Sequence, residues 1–433
     1  MKNSACRGSF FLIVISALLF GCQSSKPFRT NNQTGVNPNP TNSNFVIEER
    51  TNYTLGFVEF DDQGWLLRPN QIETVTSKFS EEMKTQGLLI VTFVHGWKHN
   101  AGSQDGNVAL MRKVLSEIAV MEQFSSKREN RPAKHVVGVY IGWRGLSEKV
   151  EPFEELSFWG RKSTAETVGH GAVVELLTTL ENLKNQSNKQ YSEAISNHER
   201  ASTKLIIIGH SFGGDIVYSA TAPILIERMV ENGDTNGSPQ PPKSLGDMVI
   251  LINPAFEAAR FETIQRLAAT KTPPGENCAL VVFTSKTDHA TKVAFPLGRK
   301  VSTLFDTYPK EQQGQGKANV TAVGHYSPYI NYDLNTLDKK RGTNEVSFAA
   351  SIDRIVKLKE KRRRVSANSS REDLTFGFTH SELVPRMTNC VPNDPVFVVS
   401  VDPILIPDHN TISNGSFVRT LEEFLSTFSN EDP

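Results

Sequence analysis

The chain has 433 residues, in which 47 lysines and arginines balance 47 aspartates and glutamates. This balance excludes a protein that binds nucleic acid through its charge, because neutralising phosphates needs a surplus of basic side chains. The 25 phenylalanines and 4 tryptophans disfavour intrinsic disorder. Four cysteines are too few for a disulfide scaffold, and the sequence has no CxxC or histidine-rich cluster typical of a metal site.

The amino terminus has the pattern of an export signal. A short basic region precedes an almost wholly apolar run from Ser9 to Phe20. The run is shorter than the roughly 20 residues of a membrane-spanning helix, which favours a signal peptide over residues 1–21. It ends in Leu-Phe-Gly-Cys, which resembles a bacterial lipobox. The resemblance implies that Cys22 becomes the first mature residue and carries a lipid that anchors it in a membrane. An ordinary signal peptide with an incidental cysteine is the alternative.

The residues after Cys22 predict where the chain resides and where its fold begins. Gln23 is not an aspartate, so inner-membrane retention is not signalled, and the resemblance implies the outer membrane, facing the periplasm. The stretch from Gln23 to Asn44 is rich in Asn, Thr, Pro, Ser and Gly, which predicts a flexible tether over residues 22–44. A folded domain is therefore expected over residues 45–433.

Short apolar runs, bounded by glycine, proline or polar clusters, predict a series of strands. An antiparallel hairpin is predicted from Tyr53–Phe60 to Trp65–Arg68. The later runs are apolar on both faces, as in a parallel sheet that helices cover. These runs are residues 88–94, 136–141, 204–208, 248–252, 280–283 and 396–401. Helical patterns separate them, so the order predicts a mostly parallel α/β sheet. The stretch Leu297–Arg371 does not fit this order and is interpreted as an insertion.

The segment Gly209–Gly214, which reads Gly-His-Ser-Phe-Gly-Gly, gives the strongest chemical signal. It follows an apolar strand and precedes a helical pattern. Small residues flank Ser211, as a sharp turn from strand to helix requires, and such a turn holds the serine hydroxyl out of the sheet on a strained backbone. A glycine-rich turn with a purely structural role is the alternative.

In this context the sequence resembles the serine esterase/lipase-like members of the α/β-hydrolase superfamily. The resemblance covers roughly Tyr53 to Leu425, apart from the insertion, and implies an α/β-hydrolase fold. Its sheet would have about eight strands, mostly parallel, with helices on both faces. It also implies that Ser211 is the nucleophile. A second match is Phe-Val-His-Gly-Trp, which ends at Trp97. This match implies an oxyanion hole built from the backbone N–H groups of Trp97 and Phe212.

A serine nucleophile needs a base, and the base needs an orienting acid. The superfamily order of nucleophile, acid and histidine implies His409, after the final predicted strand, as the general base. His325 and His380 are rivals that precede that strand. His210 lies inside the elbow, and His289 adjoins the candidate acid. For these four histidines a surface or structural role is the preferred interpretation.

The acid is less well determined by the sequence. Asp288 follows the run 280–283 and is the preferred candidate, because the resemblance places the acid after that strand. Glu257 is the alternative if the acid lies one strand earlier. Asp402, at the end of the strand that leads to His409, is a third candidate.

Two cysteines remain after the expected processing. Cys278 and Cys390 each precede one of the last two predicted strands. The resemblance implies that these strands are neighbours, and exported proteins tend to oxidise such pairs. A disulfide between them is therefore expected, with two buried thiols as the alternative.

Taken together, the motifs predict a membrane-anchored serine hydrolase that cleaves carboxylic esters through an acyl-enzyme. The mechanism requires no metal or organic cofactor, and the expected partner is a small-molecule or lipid ester. One alternative is a non-catalytic envelope lipoprotein that uses the fold for binding. Another is a thioesterase, amidase or phospholipase with the same triad, because a shared fold does not fix the substrate.

Overall fold

The described part of the chain covers most of the predicted folded domain. The computed structural model describes residues 26–35, 43–145, 154–193, 200–233, 244–270, 278–304, 306–307, 314–337, 348–366, 368–387, 390 and 394–429. The predicted signal peptide and Cys22 lie outside these residues. Among the described residues, no helix has the length and apolarity that crossing a membrane requires.

The described strands form one twelve-stranded sheet. They are β1 (Asn31–Gly35), β2 (Phe45–Glu49), β3 (Tyr53–Glu59), β4 (Leu88–Val94), β5 (His135–Gly142), β6 (Lys204–His210), β7 (Met248–Ile252), β8 (Leu280–Ser285), β9 (Tyr332–Thr336), β10 (Phe376–Gly377), β11 (Ser381–Pro385) and β12 (Val396–Val401). Their order across the sheet is β1-β2-β3-β5-β4-β6-β7-β8-β12-β9-β11-β10. From β3 to β9 all neighbours are parallel, and antiparallel pairs occur only towards the two edges.

Helices cover both faces of the sheet. They are α1 (Gln71–Glu82), α2 (Gly106–Arg128), α3 (Glu154–Gly169), α4 (Val173–Glu193), α5 (Phe212–Gly233), α6 (Ala258–Thr270), α7 (Phe295–Ser302), α8 (Gln315–Val320), α9 (Phe348–Arg363) and α10 (Gly415–Phe428). One apolar core lies between the sheet and α1, α3, α4, α5 and α6, and a second lies between the sheet and α2, α9 and α10. Because the central strands are apolar on both faces, each face contributes to a core.

The fold is α/β as predicted. Its sheet has twelve described strands, whereas the sequence predicted about eight. The predicted hairpin partner Trp65–Arg68 forms only a single bridge, from Phe60 to Leu66. The interpreted insertion is part of the sheet, because β9 pairs in parallel with β12. The buried Asn331 side chain extends this pairing: it donates to Val396 O at 2.8 Å and accepts from Val398 N at 2.8 Å. The strands added beyond the prediction are short and partly polar, so they lack the apolar pattern that marks the central strands.

The flexible tether predicted for residues 22–44 is wrong for residues 26–35. Strand β1 pairs with β2, and the Arg29 side chain is fully buried. The Arg29 guanidinium contacts Glu48 Oε1 at 2.7 Å and lies 3.5 Å above the centre of the Phe57 ring. Its backbone N–H donates to Glu59 Oε2 at 2.8 Å. A polar composition predicts a tether, but one buried, hydrogen-bonded arginine fastens this segment to the domain.

The predicted disulfide is also wrong, because no disulfide joins Cys278 and Cys390. Their strands are neighbours as expected, since β8 and β12 pair in parallel. Cys278 is buried, and its thiol donates to Leu280 O at 3.5 Å. Burial raises the pKa of both thiols, that of Cys390 to about 11. Because the thiolate is the form that attacks in disulfide exchange, both sulfurs are held in the unreactive form.

Candidate active site

Ser211 occupies the sharp turn between β6 and α5. The strand ends at His210 and the helix begins at Phe212, so a single residue makes the turn. Ser211 has φ of 58°, in the left-handed region that non-glycine residues rarely adopt. The turn is held in place because the Ser211 N–H donates to Ile252 O on β7 at 3.0 Å. The sequence therefore builds the strained elbow that its glycines predict.

Two glycines allow the turn after β4 to lie directly against this elbow. A Cβ atom on Gly213 would lie 2.1 Å from Val94 O, and one on Gly96 would lie 2.8 Å from Ser211 Cβ. Neither position can hold a side chain without displacing the backbone or Ser211. The predicted oxyanion segment thus sits beside Ser211, with Trp97 in the turn and Phe212 at the first position of α5. This helix terminus also directs the positive end of its dipole at the site.

The structure brings Ser211, His409 and Asp288 together in one hydrogen-bonded chain. His409 Nε2 lies 2.7 Å from Ser211 Oγ, and His409 Nδ1 lies 2.9 Å from Asp288 Oδ2. Because an ionised carboxylate only accepts hydrogen bonds, Nδ1 carries the proton and donates to Asp288. Nε2 then accepts from the serine hydroxyl. The contacts span 198 and 121 residues of sequence, and they have the geometry required of a nucleophile, a base and an orienting acid.

The backbone of His409 is fastened to two strands. Its carbonyl accepts from His210 Nε2 at 2.8 Å and from Asn253 Nδ2 at 3.0 Å. The Asn253 side chain also accepts from Ser285 N at 2.9 Å, and the Ser285 hydroxyl donates to Ile406 O at 2.6 Å. The loop that carries the imidazole is therefore positioned by the ends of β6, β7 and β8.

His210, which the sequence places inside the elbow with a structural role, contributes to this positioning. Burial, reinforced by the nearby His409, lowers the pKa of His210 to about 3, so its ring is neutral. The ring therefore carries one hydrogen, which its Nε2 donates to the His409 carbonyl. The side chain supports the loop that carries the His409 imidazole.

Asp288 is a buried carboxylate that is stabilised as an anion. Thr291 donates twice to it, from its backbone N–H to Oδ1 at 3.1 Å and from its hydroxyl to Oδ2 at 2.5 Å. Burial alone would raise the pKa of Asp288. The hydrogen bond and charge of His409, together with the Thr291 donors, outweigh burial and hold this pKa below its ordinary value. The acid is thus ionised when the neighbouring imidazole takes up a proton.

His325 extends the hydrogen-bonded series of Ser211, His409 and Asp288, which it reaches through Thr291. Its Nε2 lies 2.9 Å from the Thr291 hydroxyl oxygen. Because the single Thr291 hydroxyl hydrogen goes to Asp288, the His325 ring must donate to Thr291. Burial lowers the pKa of His325 to about 4, so the donor is a neutral ring with its hydrogen on Nε2. Sequence reasoning identified neither Thr291 nor this role of His325, and no local motif marks them.

The two alternative acids have other partners. Glu257 is buried between Lys162, at 3.0 Å, and Arg299, at 2.8 Å. Asp402 accepts from the Ile404 N–H at 2.8 Å and shapes the turn after β12. Of the three candidate carboxylates, Asp288 is therefore the one that the structure places on the His409 ring.

Three further described histidines have structural or surface positions. The His95 ring accepts from Trp143 N at 3.1 Å through Nε2, so its Nδ1 hydrogen donates to Gly96 O at 2.9 Å. Burial lowers the pKa of His95 to about 4, which keeps this arrangement neutral. His289 is exposed, and His380 lies between β10 and β11. Within the described ranges, no group of His, Cys, Asp and Glu side chains is arranged to hold a metal.

Comparison with known families supports the superfamily. Residues 171–362 match a family described as "Alpha/beta hydrolase of unknown function (DUF900)". The matched region contains Ser211 and Asp288 and ends before His409. Together with the α/β sheet, this match supports an α/β hydrolase.

Solved and curated proteins add little to that assignment. The crystal structure of an uncharacterized protein from Pseudomonas aeruginosa is 9% identical to this chain, with a TM-score of 0.21. The similarity covers 54% of this chain and 42% of that one. The search of curated proteins found no match.

Proposed function

We propose that the protein is a serine hydrolase that cleaves carboxylic esters, with Ser211 as nucleophile, His409 as general base and Asp288 as orienting acid. The observation that carries this proposal is the 2.7 Å contact between His409 Nε2 and Ser211 Oγ. A strained turn presents the hydroxyl, and the buried anion of Asp288 lies on the other side of the imidazole. Such an alignment activates an otherwise weakly nucleophilic alcohol.

Acylation begins when His409 Nε2 accepts the hydroxyl proton as Ser211 Oγ bonds to the ester carbonyl carbon. The carbonyl oxygen becomes an oxyanion, which the backbone N–H groups of Trp97 and Phe212 stabilise. Losing one such donor typically costs about 3 kcal/mol of transition-state stabilisation. The imidazolium then gives its proton to the departing alkoxide, so the alcohol leaves and the acyl-enzyme remains.

Deacylation reverses these roles with water. His409 takes a proton from a water molecule while the water oxygen bonds to the acyl carbon. The second tetrahedral intermediate collapses when the imidazolium returns the proton to Ser211 Oγ, and the carboxylic acid departs. Asp288 stays ionised throughout, because its low pKa favours the anion that stabilises the imidazolium. The proposed chemistry needs no metal or organic cofactor.

The proposed cellular setting rests on the amino-terminal sequence. The basic region, the apolar run and the Gly-Cys pair support a lipid anchor on Cys22 and a place at the outer membrane, facing the periplasm. The expected substrate is a small-molecule or lipid ester. Thioesters, amides and phospholipid acyl bonds react through the same steps, and an activity panel separates them.

A fluorophosphonate probe tests the proposal directly. The wild-type chain should be labelled, and Ser211→Ala and His409→Ala should not. Ser366→Ala is a matched control, because this serine is exposed and outside the site. Absence of label on the folded wild-type chain would favour the non-catalytic binding protein. Rates on soluble esters of graded acyl length, set beside matched thioesters and amides, would then identify the scissile bond.

A further inference from the structure

Four apolar side chains form an exposed stripe along the helical segment that follows Asp288. They are Val293, Leu297, Val301 and Leu304, which are 48%, 60%, 70% and 70% exposed. Val293 lies in the π turn Ala290–Ala294, Leu297 and Val301 lie on α7, and Leu304 follows it. Their spacing of four, four and three residues places them on one helical face. We call these four residues the outer stripe.

The opposite face of the same segment is firmly fixed to the domain. The Thr291 hydroxyl donates to Asp288, Phe295 is fully buried in the core, and Arg299 Nε contacts Glu257 Oε1 at 2.8 Å. These inward residues are also spaced four apart. Because the buried side is satisfied, the outer stripe is not a core face that lacks its packing partner. It is a surface that the fold presents outward.

The charged residues of the segment that carries the outer stripe, from His289 to Leu304, are all basic. Lys292 and Lys300 are exposed beside it, and no aspartate or glutamate occurs between His289 and Leu304. An apolar helical face flanked by lysines is typical of segments that lie in the interface of an anionic bilayer.

Further exposed apolar side chains lie at the same edge of the sheet. Leu337 is 47% exposed just after β9, and Ile404 is 46% exposed in the turn after β12. Because β9 and β12 run parallel to β6, these residues share the carboxyl edge that carries Ser211 and His409. The outer stripe therefore belongs to a wider apolar rim on the catalytic side of the molecule.

We propose that the outer stripe docks the protein onto an anionic lipid bilayer, with the catalytic edge facing the lipid. The apolar side chains enter the interface, and Lys292 and Lys300 contact phosphate headgroups. The docking itself is independent of the reaction. Its consequence rests on the function proposed above: the hydrolysed esters would be lipids that a membrane presents, and Asp288 would belong to the segment that contacts the membrane.

Vesicle flotation tests the docking on the full chain with Cys22→Ser in every protein, so that lipidation does not contribute. The vesicles are phosphatidylcholine, with or without phosphatidylglycerol. Leu297→Asn with Val301→Asn should weaken partitioning into anionic vesicles roughly 100-fold, since two apolar side chains no longer enter the lipid. Phe124→Asn with Val230→Asn is the matched control, because these residues are 45% and 39% exposed on other helices. This control should bind like the parent.

The charge contribution is tested separately. Lys292→Gln with Lys300→Gln should weaken binding to anionic vesicles roughly 30-fold and leave binding to pure phosphatidylcholine unchanged. Equal flotation of the parent and the stripe variant would overturn the proposal. A second contrary result would be a parent that binds neither kind of vesicle and is a dimer, together with a stripe variant that is a monomer. The outer stripe would then be a contact between two copies of the chain.

Fluorophosphonate labelling separates this outcome from the proposed function. The stripe variant should keep parental labelling of Ser211 and parental rates on a short soluble ester, and should lose rate only on vesicle-embedded esters. Labelling without flotation refutes the docking alone. Flotation without labelling refutes the hydrolase alone and leaves the docking surface established.

Discussion

Asp288 and Glu257 are buried carboxylates that follow neighbouring parallel strands, and the contrast between their surroundings explains which of them orients the histidine. Glu257 lies between the side chains of Lys162 and Arg299 and forms an ion pair with each. Asp288 is held by the Thr291 donors and the His409 ring, and none of these is a lysine or an arginine. Its anion therefore stays available to stabilise the charge that the imidazole would acquire in the proposed reaction.

The largest expected effect distinguishes the two carboxylates by activity. Asp288→Asn should lower kcat/KM on a short soluble ester on the order of 10⁴-fold, because an amide at this position disfavours the required imidazole tautomer. Glu257→Gln should lower it less than roughly tenfold, since that side chain does not touch the histidine. Comparable losses in the two variants would contradict the assignment of Asp288.

The second prediction concerns the stability that the Glu257 ion pairs contribute. Glu257→Gln should lower the free energy of unfolding by about 3 kcal/mol, because it removes the buried carboxylate that pairs with both Lys162 and Arg299, and leaves Lys162 with only the less buried Glu166 as an acidic partner. Urea denaturation measures this change. Glu262→Gln is the control: Glu262 pairs with Arg266 at a site where both side chains are 55% exposed, and its loss should cost about 0.5 kcal/mol or less. Equal costs would show that the Glu257 ion pairs carry no special weight.

The residues that the sequence identified are those marked by local chemistry or by strand order. The flanking glycines mark Ser211, and the resemblance to α/β hydrolases implies His409 and Asp288. In the structure the His409 ring contacts both Ser211 and Asp288. The choice between Asp288 and Glu257 stayed open because both follow apolar strands. Only the three-dimensional partners, a histidine for one and two cations for the other, separate them.

What the sequence missed depends on contacts between distant segments. The approach of His325 to Thr291 joins positions 34 residues apart, and no periodicity or motif records it. The burial of Arg29 likewise depends on a residue outside its own segment, because its partner Glu48 lies on β2. The polar composition around Arg29 gives no sign of this contact. The additional strands at the edges are too short to give a clear pattern.

The next effect concerns the donors on Asp288. Thr291→Val removes the hydroxyl donor, so the pKa of Asp288 should rise and its anion should become more basic. The acidic limb of the kcat/KM profile, which reports the coupled triad, should therefore move to higher pH, and the maximum rate should fall roughly tenfold. Thr291→Ser keeps the hydroxyl and should retain the parental profile. A fall in rate without movement of the limb would mean that Thr291 only fills space.

The smallest expected effect concerns His325, the last residue of the hydrogen-bonded series that begins at Ser211. It is measured as the pH dependence of the free energy of unfolding. Burial lowers the pKa of His325 to about 4, below its ordinary value of about 6.5. Between these values the unfolded chain binds a proton that the folded chain does not, so the stability from the neutral ring is complete above about pH 6.5 and is lost as pH falls towards 4. His325→Gln removes this proton uptake. The slope of unfolding free energy against pH should become shallower by up to roughly 1.4 kcal/mol per pH unit in this window.

Activity near neutral pH tests the hydrogen bond from His325 to Thr291. In His325→Gln the glutamine keeps a donor for the Thr291 oxygen. Activity near neutral pH should therefore fall less than roughly threefold, whereas His325→Leu, which offers no donor, should approach the loss seen with Thr291→Val. The exposed His289→Gln serves as the control and should leave the stability slope unchanged. An unchanged slope in His325→Gln would mean that His325 takes up a proton as readily in the folded chain as in the unfolded chain, and the neutral ring inferred for His325 would be wrong.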